Sequence, residues 1–147
     1  MAQFDAVEAA YERGGLAAAN EVELRMWVDG IGRAPGDVEP GVRDAVACMN
    51  LGALEREAAR ERRGPEIEPA DLEPPAVGRL ADVRAPTLVV TGELDQPSVT
   101  AGAEAIAAGV PGAERVEIAA TAHVPFMERP DEFDAVVLPF LSRHSSA

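Results

Sequence analysis

Two residues in the second half of this chain have side chains that can exchange protons, and each follows a short predicted strand. Asp95 comes just after an apolar run, Thr87 to Thr91, that is bounded by Pro and Gly, as in strands buried in a parallel sheet. His123 comes a few residues after a second short strand, predicted from Arg115 to Ile118. Functional groups gather at the carboxyl ends of parallel strands, so we expect the two loops to lie side by side. Asp95 would then accept the Nδ1–H of His123, which fixes the imidazole tautomer and stabilises the protonated ring.

Several polar residues also have simpler structural interpretations. An Asp in a strand-exit loop is often a turn or cap residue, and a lone His in a loop often lies on the surface. Asp95 and His123 therefore indicate a functional site only when they are considered together. Glu128 and Arg129 precede a predicted helix, and we interpret them as structural because acids near a helix N-terminus complement its dipole. We interpret His144, near the C-terminus, as a solvated surface residue.

Three segments of different composition must position these residues. Residues 1–63 show only helical periodicity, and residues 64–79 are rich in proline, which predicts a stiff, extended connector. Residues 80–147 contain the two strands and two helices with apolar stripes, the second of which begins near Pro130. This order predicts an α/β fold, in which a helical segment precedes a βαβα unit with parallel strands.

The helical segment is predicted to hold three helices. Gly14–Gly15 ends the first and Gly30 ends the second. The third carries its apolar residues on one face, at Val42, Val46, Met49 and Ala53. We interpret Cys48, in the same helix, as a small core residue rather than a nucleophile. Met26 and Trp27 either pack this segment onto a sheet or face a substrate, and the sequence leaves both interpretations open.

Residues Leu80 to Leu141 resemble the last third of α/β-hydrolases, most clearly in the phrases PTLVVTGELDQP and AHVPFMERPDEF. In that family the acid follows the seventh strand in a G-x-x-D phrase, matched here by Gly92 to Asp95. The histidine follows the eighth strand in an H-x-P-x-x-E-x-P phrase, matched here by His123 to Pro130. The resemblance implies that Asp95 and His123 are the acid and histidine of a catalytic triad. It also implies that residues 1–63 belong to the cap, or lid, of an incomplete α/β-hydrolase fold.

The sequence departs from that family at the nucleophile. Members place a serine in a G-x-S-x-G elbow between a strand and a helix. The serines of this chain lie outside any such elbow, at Ser98, Ser142, Ser145 and Ser146. The loop that would supply an oxyanion hole and the first six strands are also missing from the sequence. We therefore expect a chain that begins inside the cap and is inactive by itself.

The composition and net charge limit the classes of partner that this chain is expected to bind. Acidic residues outnumber basic ones 26 to 13, and the formal charge of −13 disfavours nucleic acid and anionic membranes as partners. The N-terminus does not resemble a signal peptide and the single cysteine indicates a reducing compartment, so we expect a cytoplasmic protein. The expected chemistry uses protein groups only and needs no cofactor or metal.

Three functional hypotheses remain open at this stage. In the first, an upstream half-chain supplies the serine, and the complemented enzyme hydrolyses small esters, lactones or carbon–carbon bonds beside a carbonyl. In the second, the chain is an inactive truncated relic, whose unpaired strand edge favours self-association. In the third, that edge recruits a partner by strand addition and the chain is a non-catalytic interaction module.

Overall fold

The computed structural model describes residues 2–62, 64 and 73–145, so Pro65 and Pro69 of the predicted connector lie outside the described residues. The chain divides into two compact units, which we call the helical unit (Met1–Pro69) and the α/β unit (Ala70–Ala147). The described elements follow in this order: α1 (Ala2–Leu24), a π-helical turn (Arg25–Asp29), a 3-10 turn (Pro35–Asp37), α2 (Pro40–Glu61), a 3-10 helix (Ala76–Asp82), β1 (Leu88–Gly92), α3 (Pro97–Gly109), β2 (Glu114–Ile118), α4 (Pro125–Glu128) and α5 (Pro130–His144).

Two glycines shape the first part of the helical unit. Gly15 has φ 68° and ψ −161°, so α1 consists of two helices joined at a kink, and the predicted break at Gly14–Gly15 is confirmed. The chain leaves the π-helical turn at Gly30, which has φ 72° and donates its N–H to the carbonyl of Arg25 at 3.2 Å. The predicted stop at Gly30 is therefore also confirmed. Met26 is buried within this turn.

A polar network joins the two long helices of the helical unit. The guanidinium of Arg43 on α2 donates to the buried carboxylate of Asp29 at 2.8 Å and to Glu21 on α1 at 3.0 Å. These hydrogen bonds, led by the one to Asp29, raise the pKa of Arg43. The hydrogen bond from Arg43 lowers the pKa of Glu21. Asn20 adds a bond to the carbonyl of Ala47 at 3.1 Å, so α1 and α2 are linked by oriented polar contacts as well as by apolar packing.

The solvent-facing side of α2 differs from the expectation. Cys48 is exposed, so the prediction that it is a core residue is wrong. Met49, assigned to the apolar face, is also exposed. α2 begins at Pro40, because proline needs no N–H partner in the first turn and the carboxylate of Glu39 caps the helix.

The α/β unit contains the predicted parallel pair of strands. β1 and β2 pair in parallel, with Val90 opposite Val116 and Gly92 opposite Ile118, and α3 connects them. Each strand lies within one residue of its predicted bounds, and the predicted βαβα order is confirmed. The buried apolar side chains of this unit come from α3 and the residue after it, from β2 and the loop after it, and from α5: Ala103, Val110, Ile118, Ala122 and Phe140. Leu141, which follows Phe140 on α5, is exposed.

Two short helical elements of the α/β unit were not predicted. The 3-10 helix Ala76–Asp82 follows Pro75, where the sequence predicted an extended connector, and places Leu80 so close to Gly109 that a Cβ there would contact it at 2.7 Å. α4 is a single turn between the loop after β2 and α5. Within the described part of the chain, no helix is long and apolar enough to cross a membrane.

Candidate active site

Asp95 lies in the tight turn that leaves β1. Its backbone N–H donates to the carbonyl of Gly92 at 3.3 Å, and its side chain is only 2% exposed. One carboxylate oxygen, Oδ1, accepts the backbone N–H of Gln96 at 2.7 Å, immediately before α3. This bond fixes the carboxylate against the start of the helix, so its second oxygen points in a defined direction.

His123 lies in the loop after β2 and meets that second oxygen. Its Nδ1 lies 2.8 Å from Oδ2 of Asp95, and the imidazole side chain is 47% exposed. An ionised carboxylate can only accept, so Nδ1 must carry the hydrogen. In the neutral ring, Nε2 is then the basic nitrogen, which is the tautomer required of a general base. The structure therefore joins a buried acid to a histidine that is accessible to solvent.

The two loops approach closely because β1 ends in glycine. A Cβ at Gly92 would overlap with the backbone carbonyl oxygens of Thr121 and Ala122. With no side chain there, the N–H of Leu94 reaches the carbonyl of Thr121 at 2.8 Å. Gly92 thus allows the loop after β2 to lie directly against the end of β1, which is the arrangement that brings Asp95 and His123 together.

Two carboxylates hold the backbone of the histidine loop. Oε2 of Glu93 accepts the N–H of Ala120 at 2.8 Å, and Ala120 has φ 56°, a conformation that is uncommon for a residue with a Cβ. Oε1 of Glu128 accepts the N–H of Ala122 at 2.7 Å, one residue before His123. From the sequence we predict that Glu128 complements the dipole of the following helix, and no role is predicted for Glu93. Their only sequence signal is that each lies inside one of the two hydrolase-like phrases.

The other candidate residues lie elsewhere in the fold. His144, on the last turn of α5, packs its ring against that of Phe140 with centroids 4.7 Å apart. The serines occupy the first turn of α3, α5 and the residue that follows it: Ser98, Ser142 and Ser145, while Ser146 lies outside the described residues. Trp27 is partly exposed in the helical unit. Among residues 2–62, 64 and 73–145, no group of three or more His, Cys, Asp and Glu side chains could hold a metal ion.

Comparisons with known proteins find likeness in structure rather than in sequence. The sequence matches no family model and no curated protein. MenH from S. aureus matches with a TM-score of 0.65 and 19% identity, over 98% of this chain and 54% of that one. The enol-lactonase from Burkholderia xenovorans LB400 matches with a TM-score of 0.59 and 26% identity, over 92% and 48% of the two chains. Est816, described as an N-acyl homoserine lactone degrading enzyme, matches with a TM-score of 0.59 and 22% identity, over 92% and 51%.

These solved structures are α/β-hydrolases, and this chain spans about half the length of each. The match extends over both the helical unit and the α/β unit, since more than nine-tenths of the chain is covered. The chain therefore has the α/β-hydrolase fold, over a stretch equal to about half of a complete member.

Proposed function

We propose that this chain supplies the acid–histidine pair of a hydrolase whose nucleophile lies on a polypeptide segment outside these 147 residues. The observation that carries the proposal is the 2.8 Å contact between Nδ1 of His123 and Oδ2 of Asp95. One partner of this contact is buried and the other is open to solvent. A buried acid that orients an accessible imidazole is the arrangement that activates a hydroxyl nucleophile.

The proposed reaction is acyl transfer to water. Nε2 of His123 takes the proton of the nucleophilic hydroxyl as its oxygen attacks the substrate carbonyl, and then returns the proton to the leaving group. Water attacks the acyl intermediate by the same proton route, which regenerates the nucleophile. Asp95 keeps Nδ1 protonated and stabilises the positive charge that the ring carries between the two transfers.

The nucleophile is assigned to another segment because this sequence contains no G-x-S-x-G elbow. The length of the matched structures supports this assignment, since the chain covers about half of each. Within the described residues the sheet has two strands, and a parallel sheet of that size is marginal without further strands. Further strands that carry the nucleophile would pair with the open edge of β1. In the complete enzyme, the helical unit would form part of the cap.

The proposed substrates are small carboxylic esters and lactones. Two of the proteins with similar structures are described as a lactone-degrading enzyme and an enol-lactonase. Hydrolysis of either substrate proceeds through the same acyl chemistry and requires no group beyond a nucleophile, an oxyanion hole and the acid–histidine pair.

Hydrolysis of p-nitrophenyl butyrate tests the proposal. The chain is assayed alone and after co-expression with the polypeptide encoded directly upstream, which should carry the serine elbow. We expect no turnover above background from the chain alone, and turnover from the complemented preparation that is lost in His123→Ala and Asp95→Ala. His144→Ala is the matched control and should keep full activity, because its ring packs on α5.

Two results would contradict the proposal. Turnover by the isolated chain that depends on His123 would show that a nucleophile is present within these residues. A complemented preparation that is folded but inactive would favour a non-catalytic interaction module.

A further inference from the structure

We propose that Glu128, assisted by Glu93, is a positioning residue that sets the orientation of His123. This inference rests on the proposed function, because it concerns the same acid–histidine pair. The carboxylate of Glu128 acts through the backbone of the preceding residue, by accepting the N–H of Ala122 at 2.7 Å.

The N–H of Ala122 needs this partner because it is out of reach of solvent. Thr121 and Ala122 are both 0% exposed. A buried N–H without an acceptor is costly, so the loop keeps the bond by holding the peptide in one orientation. A carboxylate makes a shorter and stronger bond to an N–H than a neutral acceptor does. Because Ala122 directly precedes His123, the orientation of its backbone determines the position from which the imidazole side chain extends.

Three successive residues after β1 each bond to the loop after β2. The carboxylate of Glu93 accepts the N–H of Ala120 at 2.8 Å, and the N–H of Leu94 reaches the carbonyl of Thr121 at 2.8 Å. The carboxylate of Asp95 then meets Nδ1 of His123 at 2.8 Å. The acid and the histidine are therefore the last step of a short ladder between the two loops.

Glu128 holds the histidine loop from a second element. It belongs to α4, not to the loop that carries Asp95, so the histidine loop is bonded to two different elements. Glu93 bonds to the loop at Ala120, two residues before Ala122, so the N–H of Ala122 depends on Glu128 for its acceptor. This difference makes Glu128 the main positioning residue and Glu93 the auxiliary one.

Side-chain length and charge give separable predictions for Glu128. Glu128→Gln keeps the length and a carbonyl oxygen that accepts from Ala122, but removes the charge. Glu128→Asp keeps the charge but is one methylene shorter, so it falls short of the N–H. A positioning role predicts that the Gln variant resembles the wild type and that the Asp variant does not, whereas a purely electrostatic role predicts the reverse.

The test is the tautomer of His123, read from ring ¹⁵N chemical shifts of the full chain in alkaline buffer, where a free imidazole is neutral. The chain has two histidines, so His123→Ala assigns the signals and His144 serves as an internal reference. We expect a single tautomer with protonated Nδ1 in the wild type and in Glu128→Gln. Glu128→Asp and Glu128→Ala should give averaged shifts, which indicate a ring that exchanges between tautomers. Glu132→Ala, which removes a carboxylate four residues further along, should leave the signals unchanged.

The outcomes separate the two proposals. An ordered Nδ1–H tautomer that persists in Glu128→Asp would overturn the positioning role and leave the acid–histidine pair intact. Averaged shifts in the wild type would instead remove the pair itself, and the proposed function with it. Far-ultraviolet circular dichroism of each variant establishes that the comparison is made between folded proteins.

Discussion

Replacing Gly92 with alanine should separate the loop after β1 from the loop after β2. The new Cβ would overlap with backbone carbonyls that cannot rotate away, those of Thr121 and Ala122, so β1 and the loop must separate. Separation loses three hydrogen bonds: the backbone bonds from Leu94 to Thr121 and from Glu93 to Ile118, and the bond between the Glu93 carboxylate and the N–H of Ala120. At about 1 kcal/mol for each bond, the loss is about 3 kcal/mol. The lower chain entropy of alanine offsets about 0.5 kcal/mol, which leaves about 2–3 kcal/mol.

Amide hydrogen exchange measures this loss at the contact between the two loops. A change of about 2–3 kcal/mol corresponds to roughly 30- to 150-fold faster exchange of the Leu94 amide. Gly102→Ala is the matched control: this glycine lies in α3, a Cβ there would meet nothing within 4 Å, and alanine should stabilise the helix by up to about 1 kcal/mol. Unchanged exchange at Leu94 in Gly92→Ala would refute the argument that the loops meet as closely as the structure shows.

Three further predictions concern the helical unit. Arg43→Ala should lower the free energy of unfolding by about 3 kcal/mol, because it leaves the Asp29 carboxylate buried without its ion-pair partner. Urea titrations followed by Trp27 fluorescence measure this change. A loss below about 1 kcal/mol would contradict the prediction. The lowered pKa of Glu21 stabilises the fold above the ordinary value of 4.5, and this contribution is lost as the pH falls through the lowered value. Because Glu21 is 44% exposed, we expect an effect below about 1 kcal/mol, absent in Arg43→Ala; an equal acid dependence in both proteins would argue against it. Finally, exposed Cys48 should react with Ellman's reagent in the native chain as fast as in urea, and protection would contradict its exposure.

The broad architecture of the α/β unit could be predicted from the sequence. Strand runs bounded by Pro and Gly, followed by helices with apolar stripes, specify a parallel βαβα order. That order also brings Asp95 and His123 close together, because parallel strands place their carboxyl ends on one edge of the sheet. These are consequences of local patterns and of a general rule of topology.

The support of the site could not be predicted in the same way. The contacts of Glu93 and Glu128 depend on where backbone N–H groups point, and Ala120 adopts a left-handed conformation that alanine does not signal in a sequence. The exposure of Cys48 has a different cause. Periodicity ranks the faces of a helix by polarity, but it does not tell how many neighbouring elements cover each face.

The central claim is that Asp95 and His123 act as one catalytic unit. The most direct test is a double-mutant cycle on kcat/KM for p-nitrophenyl butyrate in the complemented enzyme. We expect His123→Ala and Asp95→Ala each to lower kcat/KM by about 100-fold or more, and the double variant to be no less active than the worse of the two single variants. Losses that multiply in the double variant would show that the residues act independently and would contradict the account.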